Sequence, residues 1–159
     1  MKHIVTILTA VGLLASVVTV TADHHETDLI KGKVGQFYNQ MRAGNFEEAF
    51  GNISAGSRGF LANGMLGEIP NEQVLSAVIA SYKQISADGG EINLIPKHLT
   101  VSFHGTVALV TYYVDGDVKT PEEDRRNVLE RATQVWEKKG DDWKLIHWHN
   151  SKLQADQDE

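Results

Sequence analysis

The sequence predicts an α+β domain whose helices gather on one face of a curved antiparallel sheet. Three observations carry this. Two segments, one from Asp28 and one after Pro70, repeat apolar residues at helical spacing. From Leu99 onward the apolar pattern switches to a period of two. The helical segments also precede the strands along the chain, without the alternation that marks parallel sheets.

The first element is a leader. Met1-Lys2-His3 makes a short basic start, Ile4 to Val20 is almost wholly apolar or small, and Val20-Thr21-Ala22 supplies small residues for cleavage. This predicts a secretory signal peptide over residues 1–22 and a periplasmic or secreted location. The rival, an uncleaved membrane anchor, is disfavoured because the run is short for a span and is diluted by Thr6, Thr9, Ser16 and Thr19. Removing 22 of 159 residues leaves 137, and losing Lys2 takes the net charge from −6 to −7. An acidic chain with no basic stripe argues against nucleic acid and, after cleavage, against a membrane as partner. With no cysteine, disulfides, a thiol nucleophile and thiolate metal sites are excluded.

Residues 23–27 read as a polar leader, and the domain as residues 28–153. Ile30, Val34, Phe37, Tyr38 and Met41 share one face of the first helix. Gly32 and Gly35 weaken it by about 1 kcal/mol each relative to alanine. Gly44 stops it. Asn45 and Glu48 resemble a capping box for a short helix whose apolar side is Phe46, Ala49 and Phe50. The stretch "SAGSRGFLANGMLGEIP" carries four glycines and reads as a long loop, with residues 55–69 a candidate lid. Val74, Leu75, Val78, Ile79, Tyr82 and Ile85 then define another amphipathic helix, ended by Gly89-Gly90.

Leu99, Val101 and Phe103 alternate with Thr100, Ser102 and His104 in a half-buried strand. "HGT" turns the chain into Thr106 to Val114, which is apolar on both faces and therefore central. Two further strands, Asn127 to Lys138 and Trp143 to Leu153, are joined by "KGDD", and residues 154–159 form a solvated tail.

The segment "ATQVWEKKGDDWKLIHWHNS" resembles the closing hairpin of the nuclear transport factor 2-like superfamily, and within it the SnoaL-like proteins and the association domain of calcium/calmodulin-dependent protein kinase II. "FYNQMRAGNFEEAF" is similar to the family's first helices and "LTVSFHGTVALVTY" to its central hairpin, so the resemblance spans residues 28–153. It implies a cone, with the sheet wrapped around three helices, an apolar pocket open at one end, and a homodimer through the outer sheet face. In the kinase association domain the positions of Tyr113, Gln134 and Asn150 supply arginines. All three are neutral here, which argues against a strongly acidic ligand.

A three-residue turn at Lys139 to Asp141 would pair Gln134 with Ile146 and Glu130 with Asn150. That register puts Glu130, Ala132, Gln134, Trp136, Ile146, Trp148 and Asn150 on one face, with Trp143, Leu145, His147 and His149 on the other. Together with the resemblance, it makes Tyr38, Tyr113, Gln134, Trp148 and Asn150 candidate ligand-binding residues for a hydrophobic or amphipathic small molecule. The competing reading makes the aromatics plain core. Glu130 is the one candidate general base; the alternative is a strand-end carboxylate facing water or paired with Lys152. His147 and His149 share a face and have the spacing of metal ligands, but a third ligand would have to be His98 or His104. They are therefore assigned to the interface or to structural support, with no metal and no cofactor expected. Cleavage after Ala22 would also expose Asp23-His24-His25, whose third-position histidine suits Cu(II) or Ni(II), against a bland polar leader.

The function expected is an exported small-molecule-binding or assembly module without established catalysis. The alternative is an isomerase or hydrolase acting on a hydrophobic small molecule, with Glu130 as base and Tyr38 or Tyr113 as hydrogen-bond donor. A third is an interaction subunit that works through its dimer surface.

Overall fold

A computed structural model describes residues 12–153, with side chains from residue 24 onward. The elements run α1 (Gly12–Ala43), α2 (Phe46–Phe50), β1 (Ile53–Phe60), β2 (Leu66–Ile69), α3 (Glu72–Ala87), β3 (Glu91–His104), β4 (Val107–Lys119), β5 (Arg126–Lys139) and β6 (Asp142–Lys152). The fold is α+β, with six strands in the order β2-β1-β6-β5-β4-β3 forming a curved, unclosed sheet over the helices.

The first residues of the expected signal peptide and the tail from residue 154 lie outside the described residues. Residues 23–27, read from sequence as a leader, continue α1. Among the described residues, no helix is long and apolar enough to cross a membrane. The predicted face of α1 is the one that packs: Ile30, Val34, Tyr38 and Met41 are buried, with Phe37 beside them. Glu26 fastens the start of this face, accepting from Lys138 at 2.7 Å and from the Trp143 indole. The capping box at Asn45 does not form; its side-chain amide donates instead to Gln40, at 2.8 Å. Asn71 does cap α3, accepting from the Val74 amide at 3.0 Å.

The expected long loop is a correction. Its residues form the β1–β2 hairpin, and β1 adds to the sheet parallel to β6, so the sheet is not wholly antiparallel. Glycine content pointed to a loop, but three of the four glycines are strand residues, and at Gly59 and Gly67 the missing side chains let β1, β2 and β6 approach one another.

Irregularities in β3 and β6 bend the sheet. In β3, His98 has a φ of 57°, and two residues face one across the break between Lys97 and Thr100. The inward set accordingly changes from Ile92 and Leu94 to Leu99, Val101 and Phe103. In β6, Trp136 pairs with Leu145 but Val135 pairs with His147, leaving Ile146 as the extra residue. This corrects the hairpin register. The turn is Gly140-Asp141, two residues, so Gln134 faces Trp148 and Glu130 faces Lys152. Trp143 and Leu145 therefore point inward and are buried, the reverse of the expectation. Beyond the bulge the phase resets, and Trp148 and Asn150 share the inner face with Gln134 and Ala132. Two one-residue differences cancel there.

The α1–β6 seam is electrostatic. Lys33 lies 2.7 Å from Asp142 and, with Lys144 at 3.1 Å, holds that carboxyl down at a pKa of about 2. Lys138 and the Trp143 indole likewise lower Glu26. Both carboxylates have folded pKa values below the usual range near 4, so their contribution is complete above the unfolded pKa and is lost as pH falls through the folded one. Replacing Lys33 by methionine should lower stability in urea at pH 7 and change it little below about pH 2. Equal losses at both pH values would contradict this.

Candidate functional site

A cavity of about 750 Å3 lies between α1, α3 and the inner face of the sheet. One wall is a run of aromatic rings linking sheet to helices. Tyr112 meets Tyr38 edge-on at 6.0 Å, Tyr38 meets Phe37 at 5.0 Å, Phe37 meets Phe50 at 5.8 Å, and Phe50 meets Tyr82 at 5.4 Å. The spacing and the mostly steep interplanar angles are those of favourable aromatic contacts. Phe37, Ile53 and Trp148 belong to both apolar clusters, one under the sheet and one around α2 and α3. The cavity opens where these clusters meet.

Trp148 has an unusual seat. In the register Gly59 lies opposite Gly67 on one side and Trp148 on the other. A Cβ on Gly59 would stand 1.9 Å from the Trp148 carbonyl oxygen and 2.6 Å from its Cγ; one on Gly67 would stand 3.2 Å from Cζ2. The two glycines thus form a flat shelf on which the indole rests, and glycine is required at the first by close backbone approach.

A short polar strip runs along β5 and β6. Trp136 donates its indole N–H to Gln134 Oε1 at 3.0 Å, leaving the Gln134 NH2 group as a donor toward the cavity. Asn150 Nδ2 donates to Glu130 Oε2 at 3.0 Å. Tyr38 and Tyr112 bring their hydroxyls to 3.2 Å. Burial first, and the Glu130 charge after it, push Tyr38 above the usual phenol range; burial likewise raises Tyr112 well above it. Both phenols stay protonated near neutral pH. One proton is used between them and the other is free for an acceptor.

Of the sequence candidates, Tyr38, Gln134, Trp148, Asn150 and Glu130 all line this cavity. Tyr113 does not. It stands on the outer face, 44% exposed, against the His98 ring at 6.2 Å. Its neighbour Tyr112 holds the inner position. The signal was present in "VTYYVDGD": Tyr113 shares parity with Asp115, whereas Tyr112 shares it with Val110 and Val114. The site also includes Trp136, Tyr82 and the tip of the β1–β2 hairpin, from Leu61 to Asn63. Residues 55–69 therefore enter the site as sheet and turn. His147 and His149 face outward, and Phe60 packs against His149 at 5.8 Å. Among the described residues, no cluster of three metal-ligating side chains is present.

Residues 30–155 match the family model of the SnoaL-like domain. The chain belongs to the SnoaL-like domain family. No curated protein matches it in sequence. Solved structures similar to this SnoaL-like domain share the fold at low identity. An NTF2-like protein from Novosphingobium aromaticivorans has 12% identity and a TM-score of 0.67, covering 94% of each chain. A proposed dehydratase of the NTF2-like family from Streptomyces avermitilis has 22% identity and a TM-score of 0.65, covering 84% of this chain and 99% of its own. The calcium/calmodulin-dependent protein kinase II hub homology domain of Chlamydomonas reinhardtii has 20% identity and a TM-score of 0.61, covering 81% and 98%.

Replacing Gly59 by alanine should cost about 1–3 kcal/mol through overpacking and shift Trp148 off its shelf. Near-ultraviolet circular dichroism and urea unfolding would report it, and unchanged spectra with unchanged stability would refute the shelf.

Proposed function

We propose that this SnoaL-like domain is an exported module that binds a hydrophobic or amphipathic small molecule in its cavity. The observation that carries the reading is the cavity itself. Its volume of about 750 Å3 falls within the range of roughly 300–1,000 Å3 typical of ligand sites, and a few polar groups converge among aromatic walls. The raised phenols stay protonated and can serve a bound molecule as hydrogen-bond donors. Export rests on the sequence of residues 1–22.

Self-association as a homodimer through the outer sheet face belongs to the same reading. Ile95, Tyr113 and Leu129 stand there 47%, 44% and 52% exposed, grouped on adjacent strands. Exposed large apolar groups clustered on one face suit a protein interface. His147 and His149 share this face and would sit in or beside that contact.

Native mass spectrometry of the processed protein tests both parts. The expected spectrum shows a dimer, with a small molecule bound or a hydrophobic probe taken up at one per chain. Val78→Trp, which fills part of the cavity, should weaken probe binding about tenfold or more while leaving the dimer intact. Equal probe binding by the variant, or a monomer at micromolar concentration, would overturn the corresponding part.

A further inference from the structure

The charged groups around the cavity are not arranged alike. Glu130 is half-buried on the inner face of β5, with one oxygen taken by Asn150 at 3.0 Å. Among the described residues, no hydrogen-bond donor meets its other oxygen and no ion pair neutralises it. The cations lining the same space make no ion pair with it among the described residues. Lys33 is engaged by Asp142 at 2.7 Å. Arg126 lies four residues nearer the start of β5, about 13 Å along the strand at 3.3 Å per residue. It is exposed, with Glu123 at 3.8 Å. Lys152 faces Glu130 across the strands but is exposed and makes no ion pair with it among the described residues.

On the β4 side the buried neighbours of Glu130 are neutral, Val114 opposite it and Tyr112 diagonal to it. The Tyr112 hydroxyl in turn meets that of Tyr38 at 3.2 Å. Trp148 pairs with Gln134, four residues along β5 from Glu130, and lines the cavity farther along. A carboxylate with a free oxygen, beside neutral side chains and in no ion pair among the described residues, is complementary to one kind of group. A cationic amine would satisfy the carboxylate by a charge-assisted hydrogen bond and place its charge against the electron-rich rings. An anionic ligand would meet the same carboxylate at a penalty.

We infer that the molecule held in this cavity is an organic cation, an amine or ammonium centre on an apolar body, with its charge at Glu130. This rests on the binding role proposed above and adds the ligand's chemical class. Glu130 is then the specificity-determining residue, and the Asn150 amide holds its carboxylate in place.

Three rigid probes with one apolar body separate the possibilities: 1-adamantanemethylamine, 1-adamantanemethanol and 1-adamantanecarboxylate. Isothermal titration at pH 7 and low salt should show the amine binding about tenfold or more tighter than the alcohol, with the carboxylate weakest. Glu130→Gln keeps an oxygen for Asn150 and should abolish the amine's advantage while leaving the alcohol's affinity within about twofold. The wild-type amine-to-alcohol ratio decides even if that variant fails to fold. An alcohol that binds as tightly as the amine overturns the cation assignment and leaves the cavity's binding role standing. Failure of all three, in protein that also carries no native ligand, overturns both.

Discussion

The contact on which the site depends is the seating of Trp148 on Gly59 and Gly67. A large ring can line an open cavity only if something flat supports it from behind, and two glycines on adjacent strands supply that surface. The same close approach brings β1 alongside β6 in parallel and so attaches the hairpin to the sheet. With Trp148 fixed, the two apolar clusters meet without merging, and the space between them remains a cavity. Packing density in protein interiors normally removes such space. Here a chain of edge-on aromatic contacts, rigid and each worth roughly 0.5–1.5 kcal/mol beyond burial, keeps the opposite wall from collapsing inward.

The polar strip follows from the same geometry. The bulge at Ile146 returns Trp148 and Asn150 to the inner face after Trp143 and Leu145 have already used it. One irregular residue thus lets β6 contribute a core plug at its start and ligand-facing groups further along. The plug is tied to α1 through the Trp143 indole and Glu26, away from the cavity. Trp143 lies off the cavity, whereas Leu145 already lines its edge.

Much of this was legible in the sequence where one face of a segment was plainly apolar. The α1 face of Ile30, Val34, Tyr38 and Met41 is such a case, because helical spacing fixes direction without knowledge of partners. The SnoaL-like fold was legible through "HWH" and its flanking hairpin. What failed were elements whose meaning depends on a neighbour. Gly59 and Gly67 look like loop residues until Trp148 is placed on them. Tyr112 and Tyr113 exchange roles with a one-residue change of phase, since both flanks of β4 are apolar. The inner placement of Trp148 and Asn150 agreed with expectation through compensation, a shorter turn offset by a bulge. Bulges carry no dependable sequence signature in a strand this apolar.

The three tryptophans offer the most direct test of the central claim that the cavity beside Trp148 is the binding site. Trp136 and Trp148 line it, whereas Trp143 is buried against Glu26 and Phe103 on the far side of the core. Their indole N–H signals in a 1H–15N correlation spectrum should respond differently to a hydrophobic probe. A large shift is expected for Trp148, a smaller one for Trp136 through its bond to Gln134, and none for Trp143. Saturable binding that moves Trp143 and leaves Trp148 unshifted would contradict it.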